Sequence, residues 1–536
     1  MMVFARTDRQ RIAQIACCIA VLGSLAILPV SCSQADETSL ESLIRRFFEA
    51  SDSAQREVVI AGLIESGVPI ERIAELLRSG IKFEPVEGTG WTIQTRTCMD
   101  GLDRPFHVYV PESYDPSVSS PVLFELHGGS LQEPVTQEEY LAGRSIWQPS
   151  ADKLGWILVY PTAYSGVNWF SISGQENLLG QLEYLKQHYN IDENRVFFSG
   201  YSAGGAGAIW QAAHNPTPWA GFMSYNGYFD IEGYGAYAVF PSNLLNRPIR
   251  ATNGLVDGIV TIDRVAVYVE QLLSMGVHLA WETYPVGHNV SFFGLERPKT
   301  EAFLMAVSRD PFRDEVIWET ESANAGRCDW IRIDEIADVG NNALFEERNV
   351  SLLEEPLSFG VALAYVPPGE FAVAGLQPGS VAHTLGVQVG DRVMQIDDVD
   401  VVTAEDMEAA IAAKLPGDPV QAEVVRGEQS VILQGWLPRG KPAYTHPQLY
   451  GSIHAQANGN EIHVQVRHVA RFTLLLSSEQ FDLGSAITVL VNGERAFSQQ
   501  VSPDLRFMLE QAGRDLDRKM IYEARIEIIV PRAAGD

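Results

Sequence analysis

The sequence predicts a multidomain chain: a mostly parallel β-sheet covered by helices on both faces, then a compact unit of its own, then a β-rich C-terminal region. Three observations predict it. At 536 residues the chain is too long for a single hydrophobic core and divides into several domains. Between residues 91 and 311 apolar strand-like runs alternate with helical patterns, the order of a parallel sheet with crossover helices. Within that region residues 196–207 read V-F-F-S-G-Y-S-A-G-G-A-G, where a strand-like run breaks into a glycine-flanked serine, Ser202, and then a small-residue helix.

Composition supports folding and excludes one class of partner. Hydrophobic residues make up 46% and aromatic residues 10% of the chain, enough for globular cores throughout. The formal net charge is −29 and no cluster of Lys and Arg stands out, so a nucleic-acid surface is excluded. Such acidity fits a soluble, self-repelling surface.

At the N-terminus, Arg6, Arg9 and Arg11 precede an apolar stretch from Ile12 to Val30 and the small-x-small site Ser33-Gln34-Ala35. Residues 1–35 therefore predict an export signal cut after Ala35, leaving no membrane span in the mature chain and a secreted or periplasmic protein. A lipoprotein anchored through Cys32 is the alternative, although Pro29 stands where that motif usually has leucine. Of five cysteines, Cys17, Cys18 and Cys32 go with the signal. Cys98 and Cys328 remain, and whether they pair is left open. No Cys/His spacing suggests a metal site, and no cofactor is expected.

Residues 36–84 read as two or three short amphipathic helices, with breaks at Pro69 and Gly80. Residues 85–313 are expected to form the catalytic domain. Its candidate strands are 106–110, 122–126, 157–160, 196–199, 221–225, 248–252 and 279–284, and its clearest helix is 178–188. Beyond it, the alternations V-I-W-E-T-E-S and W-I-R-I-D-E-I predict a hairpin within 314–350. Residues 355–438 form the compact unit, 438–447 a proline-rich linker, and 445–536 a mostly β region with one helix at 504–513. Two strands alone bury no core, so the hairpin is expected to belong to the C-terminal β region, with the compact unit inserted into it.

Gly200-Tyr201-Ser202-Ala203-Gly204 fits the G-x-S-x-G nucleophile elbow, a tight strand-to-helix turn that exposes the serine Oγ. Such a serine needs a histidine to take its proton, an acid to orient that histidine, and donors for the oxyanion. In the α/β-hydrolase order the acid and then the histidine follow the serine. Asp257 lies just past the strand run 248–252, and His288 just past 279–284, where catalytic groups collect in open α/β sheets. Asp230 and Asp263 are weaker rivals, one in a separate loop and the other opening a helix. The strand 122–126 ends in His127-Gly128-Gly129, the turn type that supplies an oxyanion N–H. Gly129 and Ala203 are the expected donors, with His127 orienting the loop.

These motifs carry a resemblance. With L-H-G-G, L-G-W-I-L-V-Y-P, Y-N-I-D-E-N-R-V-F-F-S-G-Y-S-A-G-G and G-L-V-D-G-I-V, residues 91–311 resemble secreted α/β-hydrolase esterases of the polyhydroxybutyrate-depolymerase and feruloyl- or acetyl-xylan-esterase kind. The resemblance implies hydrolysis of a carboxylic ester, polymer- or sugar-linked, without a cofactor. Tyr201 stands where the family often has His. Trp169, Phe170, Tyr228 and Phe229, in loops after strand ends, are candidates to hold the acyl group; loop packing explains them equally well.

Residues 357–437 resemble a bacterial PDZ domain, through L-S-F-G-V-A-L and L-Q-P-G-S-V-A-H-T-L-G-V-Q-V-G-D-R-V-M-Q-I-D-D-V-D-V. The resemblance implies that a peptide adds as a strand, its C-terminal carboxylate held by N–H groups of the loop at Phe359, Gly360 and Val361. A degenerate PDZ fold serving as a spacer is the alternative. The closing β section looks like an accessory module behind such hydrolases. The expected function is an exported serine esterase. A prolyl-oligopeptidase-type peptidase and an envelope scaffold with a vestigial hydrolase are the alternatives.

Overall fold

A computed structural model describes residues 34–129, 145–235, 237–345, 347–367 and 370–532. Cys17, Cys18, Cys32 and residues 1–33 of the expected export signal lie outside the described residues. The described residues form two compact units, divided between Val68 and Pro69. In the first, helices Gln34–Glu49 and Ser53–Glu65 bury Ile44, Phe47, Val59 and Leu63. Asp52 caps the second helix by accepting from the Gln55 N–H at 2.8 Å. Pro69 opens the helix Ile70–Ser79, which belongs to the second unit, so the expected segment 36–84 is divided there.

After that helix the second unit forms an eight-stranded sheet: β1 (Gly90–Thr97), β2 (Asp103–Val110), β3 (Ser120–Leu126), β4 (Ile157–Tyr160), β5 (Ile191–Tyr201), β6 (Gly221–Tyr225), β7 (Ile249–Gly254) and β8 (Leu279–Tyr284). Their order is β1-β2-β4-β3-β5-β6-β7-β8. Antiparallel pairing is confined to β1 with β2 and β2 with β4; the rest is parallel. β3, β4 and β6 are buried along their whole length, as predominantly apolar strands in a two-sided parallel sheet should be. β1 escapes the apolar pattern because it is an edge strand with no fully buried residue. From β3 the strand order runs outward both ways, to β4 and to β5, and the crevice at their carboxyl ends is where such sheets bind ligands.

The C-terminal β region has two facing sheets. One runs Glu494–Gln500, Ala486–Val491, Glu461–Arg467, Gly451–Asn458, Glu315–Thr320; the other Arg327–Cys328, Ile331–Ile336, Val469–Leu476, Ala524–Ile529. The alternations expected to form a hairpin therefore do not pair with each other. Glu315–Thr320 pairs with Gly451–Asn458, and Ile331–Ile336 pairs with Val469–Leu476. Each strand instead finds its partner in a distant segment, and Trp318 and Trp330 both enter the core shared by the sheets. Asp329, between the two strands, is fully buried and pairs with Arg247 of the hydrolase region and with Arg313.

Between these strands stands the PDZ region. Its hairpin Val361–Val366 and Glu370–Leu376 and its four-stranded sheet enclose helices Val381–Leu385 and Ala404–Ala412 around Phe359, Val373, Ile396, Ile411 and Val424. Its two connections pair as a short ribbon, Ser351–Leu352 with Lys441–Pro442. The expected linker 438–447 is consequently no free tether. Tyr444 is buried and donates to the Phe229 carbonyl at 2.6 Å, and the Thr445 hydroxyl donates to Glu232 at 2.7 Å. Cys98 and Cys328 are both buried free thiols and form no disulfide. Among the described residues no helix is long and apolar enough to cross a membrane.

Candidate active site

Ser202 sits between β5 and the helix Ala203–His214 with φ 55° and ψ −120°, a conformation a non-glycine residue adopts only when its surroundings impose it. The surroundings are visible. A Cβ on Gly200 would lie 2.1 Å from the Gly204 carbonyl oxygen, and one on Gly204 would lie 2.3 Å from that of Leu126. Only glycines allow the helix to start this close to β3 and β5. The Ser202 N–H donates to the Tyr225 carbonyl at 2.8 Å, which ties the elbow to β6.

His288 brings its Nε2 to 2.9 Å from the Ser202 Oγ and its Nδ1 to 2.7 Å from Asp257 Oδ2. Asp257 is buried, and its Oδ1 also accepts from the N–H groups of Ile259 (2.8 Å) and Val260 (2.9 Å). The carboxylate is thus fixed in direction by its own loop. With Nδ1–H donating to Asp257, Nε2 is left as the acceptor that faces the serine hydroxyl. Of the rival acids, Asp230 pairs with Arg264 instead.

Two residues that sequence reasoning gave no role hold these loops. The Tyr201 hydroxyl donates to the His288 carbonyl at 2.7 Å. Asn226, buried and at φ 45°, accepts from the Gly254 N–H (2.9 Å) and donates to the Asn289 carbonyl (2.9 Å), linking the end of β7 to the residue after His288. Tyr201 was legible as a departure from the family pattern. Asn226 carries only the weak signal of a polar residue closing a buried strand.

The His127-Gly128-Gly129 turn lies against the elbow, since a Cβ on Gly128 would come within 3.1 Å of the Ser202 Cβ. Both His127 ring nitrogens are engaged with backbone: Nε2 accepts from the Ala163 N–H at 3.0 Å, and Nδ1 faces the Gly128 carbonyl at 3.0 Å. Gly129 is exposed at φ 71°, and Ala203 opens a helix whose first N–H groups have no carbonyl one turn back. Two residues before the turn, on β3, burial pushes the Glu125 carboxyl up to about 7, although Ser145 and the Ile146 N–H hydrogen-bond to it.

The aromatic candidates are largely core. Trp169 is 2% exposed, packs against Gly207 of the helix after Ser202 and donates to the His127 carbonyl at 3.1 Å. Phe170 and Phe229 are buried in the same cluster. Tyr228 is half-buried between Tyr234 and the Arg264 guanidinium. Loop packing, rather than a stacking platform, accounts for the first three, because short loops crossing a sheet end must cover apolar area of their own. In the PDZ loop, Phe359 is fully buried, Gly360 has φ 72°, and Val361 opens its strand. Among the described residues no group of three or more His, Cys, Asp or Glu is arranged to hold a metal ion.

Fold and sequence together define an α/β-hydrolase region of the serine-hydrolase superfamily joined to a PDZ domain and a β-rich C-terminal region. Residues 174–278 match the model of the prolyl oligopeptidase family, and residues 350–425 that of the PDZ domain. The chain is similar to a bifunctional acetylxylan esterase/xylanase of Neocallimastix patriciarum, at 35% identity over 117 residues, which is 21% of this chain and 16% of that relative's length. Similar solved structures include a ferulic acid esterase, at 17% identity over 40% of this chain and 98% of the other with a TM-score of 0.34. Another is dipeptidyl peptidase 4 of Porphyromonas gingivalis, at 14% identity over 40% and 35% with a TM-score of 0.35.

Proposed function

We propose that this chain is an exported serine esterase in which Ser202 attacks a carboxylic ester, His288 takes and returns the proton, and Asp257 orients the imidazole. The observation that supports it is the unbroken hydrogen-bonded line from Asp257 through His288 to a Ser202 held at positive φ. Attack of Oγ on the carbonyl carbon transfers the hydroxyl proton to His288 Nε2, and that proton goes to the departing alkoxide. Water, deprotonated by the same nitrogen, then releases the acid from the acyl-enzyme. Gly129 and Ala203 N–H groups are proposed as the oxyanion donors, a role whose loss typically costs about 100- to 1000-fold in turnover. The N-terminal pattern supports export. The similarity to an acetylxylan esterase supports an ester substrate, with a sugar-linked acyl group as the class to test first.

A peptidase reading has its own support in the prolyl oligopeptidase match over residues 174–278. Purified full-length protein assayed against acetylated xylan, feruloyl and hydroxybutyryl esters and prolyl peptide amides separates the two. Ester turnover abolished by Ser202→Ala is the expected result. Turnover of the amides alone would overturn the esterase reading while leaving the Ser202 assignment intact.

A further inference from the structure

The loop before the strand Val361–Val366 is a carboxylate cradle that is already filled. Ser358, Phe359 and Gly360 all direct their carbonyls to one side: these accept from the N–H groups of Val381 (3.1 Å), Ala382 (3.1 Å) and Gln377 (2.9 Å). The buried Phe359 ring anchors the loop in the core, and Gly360 lies so close to Ser380 that a Cβ there would sit 2.3 Å from the serine Cβ. With the carbonyls fixed, the Phe359 and Gly360 N–H groups converge on the other side, as in the backbone nests that bind anions. There they meet Glu408 of the helix Ala404–Ala412. Its Oε1 accepts from the Ser358 hydroxyl and the Gly360 N–H, both at 3.0 Å, and its Oε2 accepts from the Phe359 N–H at 3.1 Å.

A peptide's terminal carboxylate carries the same two oxygens and the same charge as the Glu408 side chain, and this loop has one set of donors. We propose that Glu408 is a resident ligand of the cradle that excludes peptide C-termini from it. Val361–Val366 pairs on one side with Glu370–Leu376, and among the described residues no strand pairs with its other edge. The peptide class this edge accepts with Glu408 in place is an extended segment that does not end in a carboxylate at the loop. A carboxylate carried on the neighbouring helix competes at an effective concentration on the order of millimolar or more, so a free C-terminus is disfavoured by about tenfold or more at ordinary ligand levels.

The test uses full-length wild type, Glu408→Ala and Glu408→Gln. Two mixed-sequence fluorescent peptide pools are compared, identical except that one ends in free carboxylates and the other in amides. Wild type is expected to bind the pools equally, and Glu408→Ala to prefer the free acids by about tenfold, with Glu408→Gln between them because a carboxamide offers one acceptor in place of two. Hydrogen exchange at Phe359 and Gly360 provides a readout independent of peptide sequence. It is expected to accelerate in Glu408→Ala and to slow again with acetate or the free-acid pool, while wild type ignores acetate. A wild type that already prefers free acids tenfold, or a folded Glu408→Ala with no preference for them and no response to acetate, overturns the proposal.

Discussion

The Ser202 elbow and the loop at Ser358–Gly360 are both tight turns in which glycines allow close approach, and they are completed in different ways. At the elbow the partners arrive from loops after β7 and β8, and the serine is left facing a histidine whose other nitrogen is committed. At the PDZ loop the partner is the Glu408 carboxylate, which supplies the charge that a ligand would otherwise bring. The difference teaches how to read such turns. A turn whose side chains are arranged to move a proton is poised for chemistry, whereas one whose donors are satisfied internally is closed until something displaces the occupant.

Ser202→Ala is expected to lower ester turnover by about 10⁵- to 10⁶-fold with an unchanged melting profile. Activity within tenfold of wild type would remove the elbow from the chemistry. Asp257→Asn keeps the contact but reverses the favoured imidazole tautomer, for an expected loss of about 10⁴-fold in kcat. A loss in KM alone would show that Asp257 only shapes the loop.

Glu125 probes β3 just before the His127 turn. Burial raises its carboxyl from 4.5 to about 7, so between those values the folded chain keeps a proton that the unfolded chain has released. The stability tied to that proton is complete below the lower value and is lost as pH rises through the upper one, by on the order of 3 kcal/mol. Glu125→Gln stays neutral, so melting scans should show its midpoint gaining on wild type from pH 4.5 to 7. A pH-independent difference would mean that the carboxyl titrates alike in both states. Tyr201→Phe removes the bond to the His288 carbonyl and should cost about tenfold in kcat, equal to about 1.4 kcal/mol, with KM little changed. An unchanged kcat would leave Asn226 as the principal brace of the histidine loop.

Much of the elbow was legible because its requirements are local. Gly200 and Gly204 are dictated by carbonyls a few ångströms away, and Asp257 and His288 each lie just past a segment expected from sequence to be a strand. The parallel sheet was legible for the same reason: β3, β4 and β6 are buried on both faces and read as predominantly apolar runs. β1, half-exposed at the edge, does not.

By itself, the sequence determined the G-x-S-x-G turn at Ser202, the chain order in which Asp257 and His288 follow it, and the presence of the PDZ pattern, since short-range sterics and periodicity govern each. Only the tertiary structure decided that Trp169, Phe170 and Phe229 go to the core, that Glu315–Thr320 and Ile331–Ile336 join opposite sheets, and that Tyr444 docks the expected linker on the hydrolase. It also decided that Glu408 fills the PDZ cradle. The physical reason is common to all four. Which side chain fills a given space depends on elements brought together from distant parts of the chain, and neither spacing nor composition records that meeting.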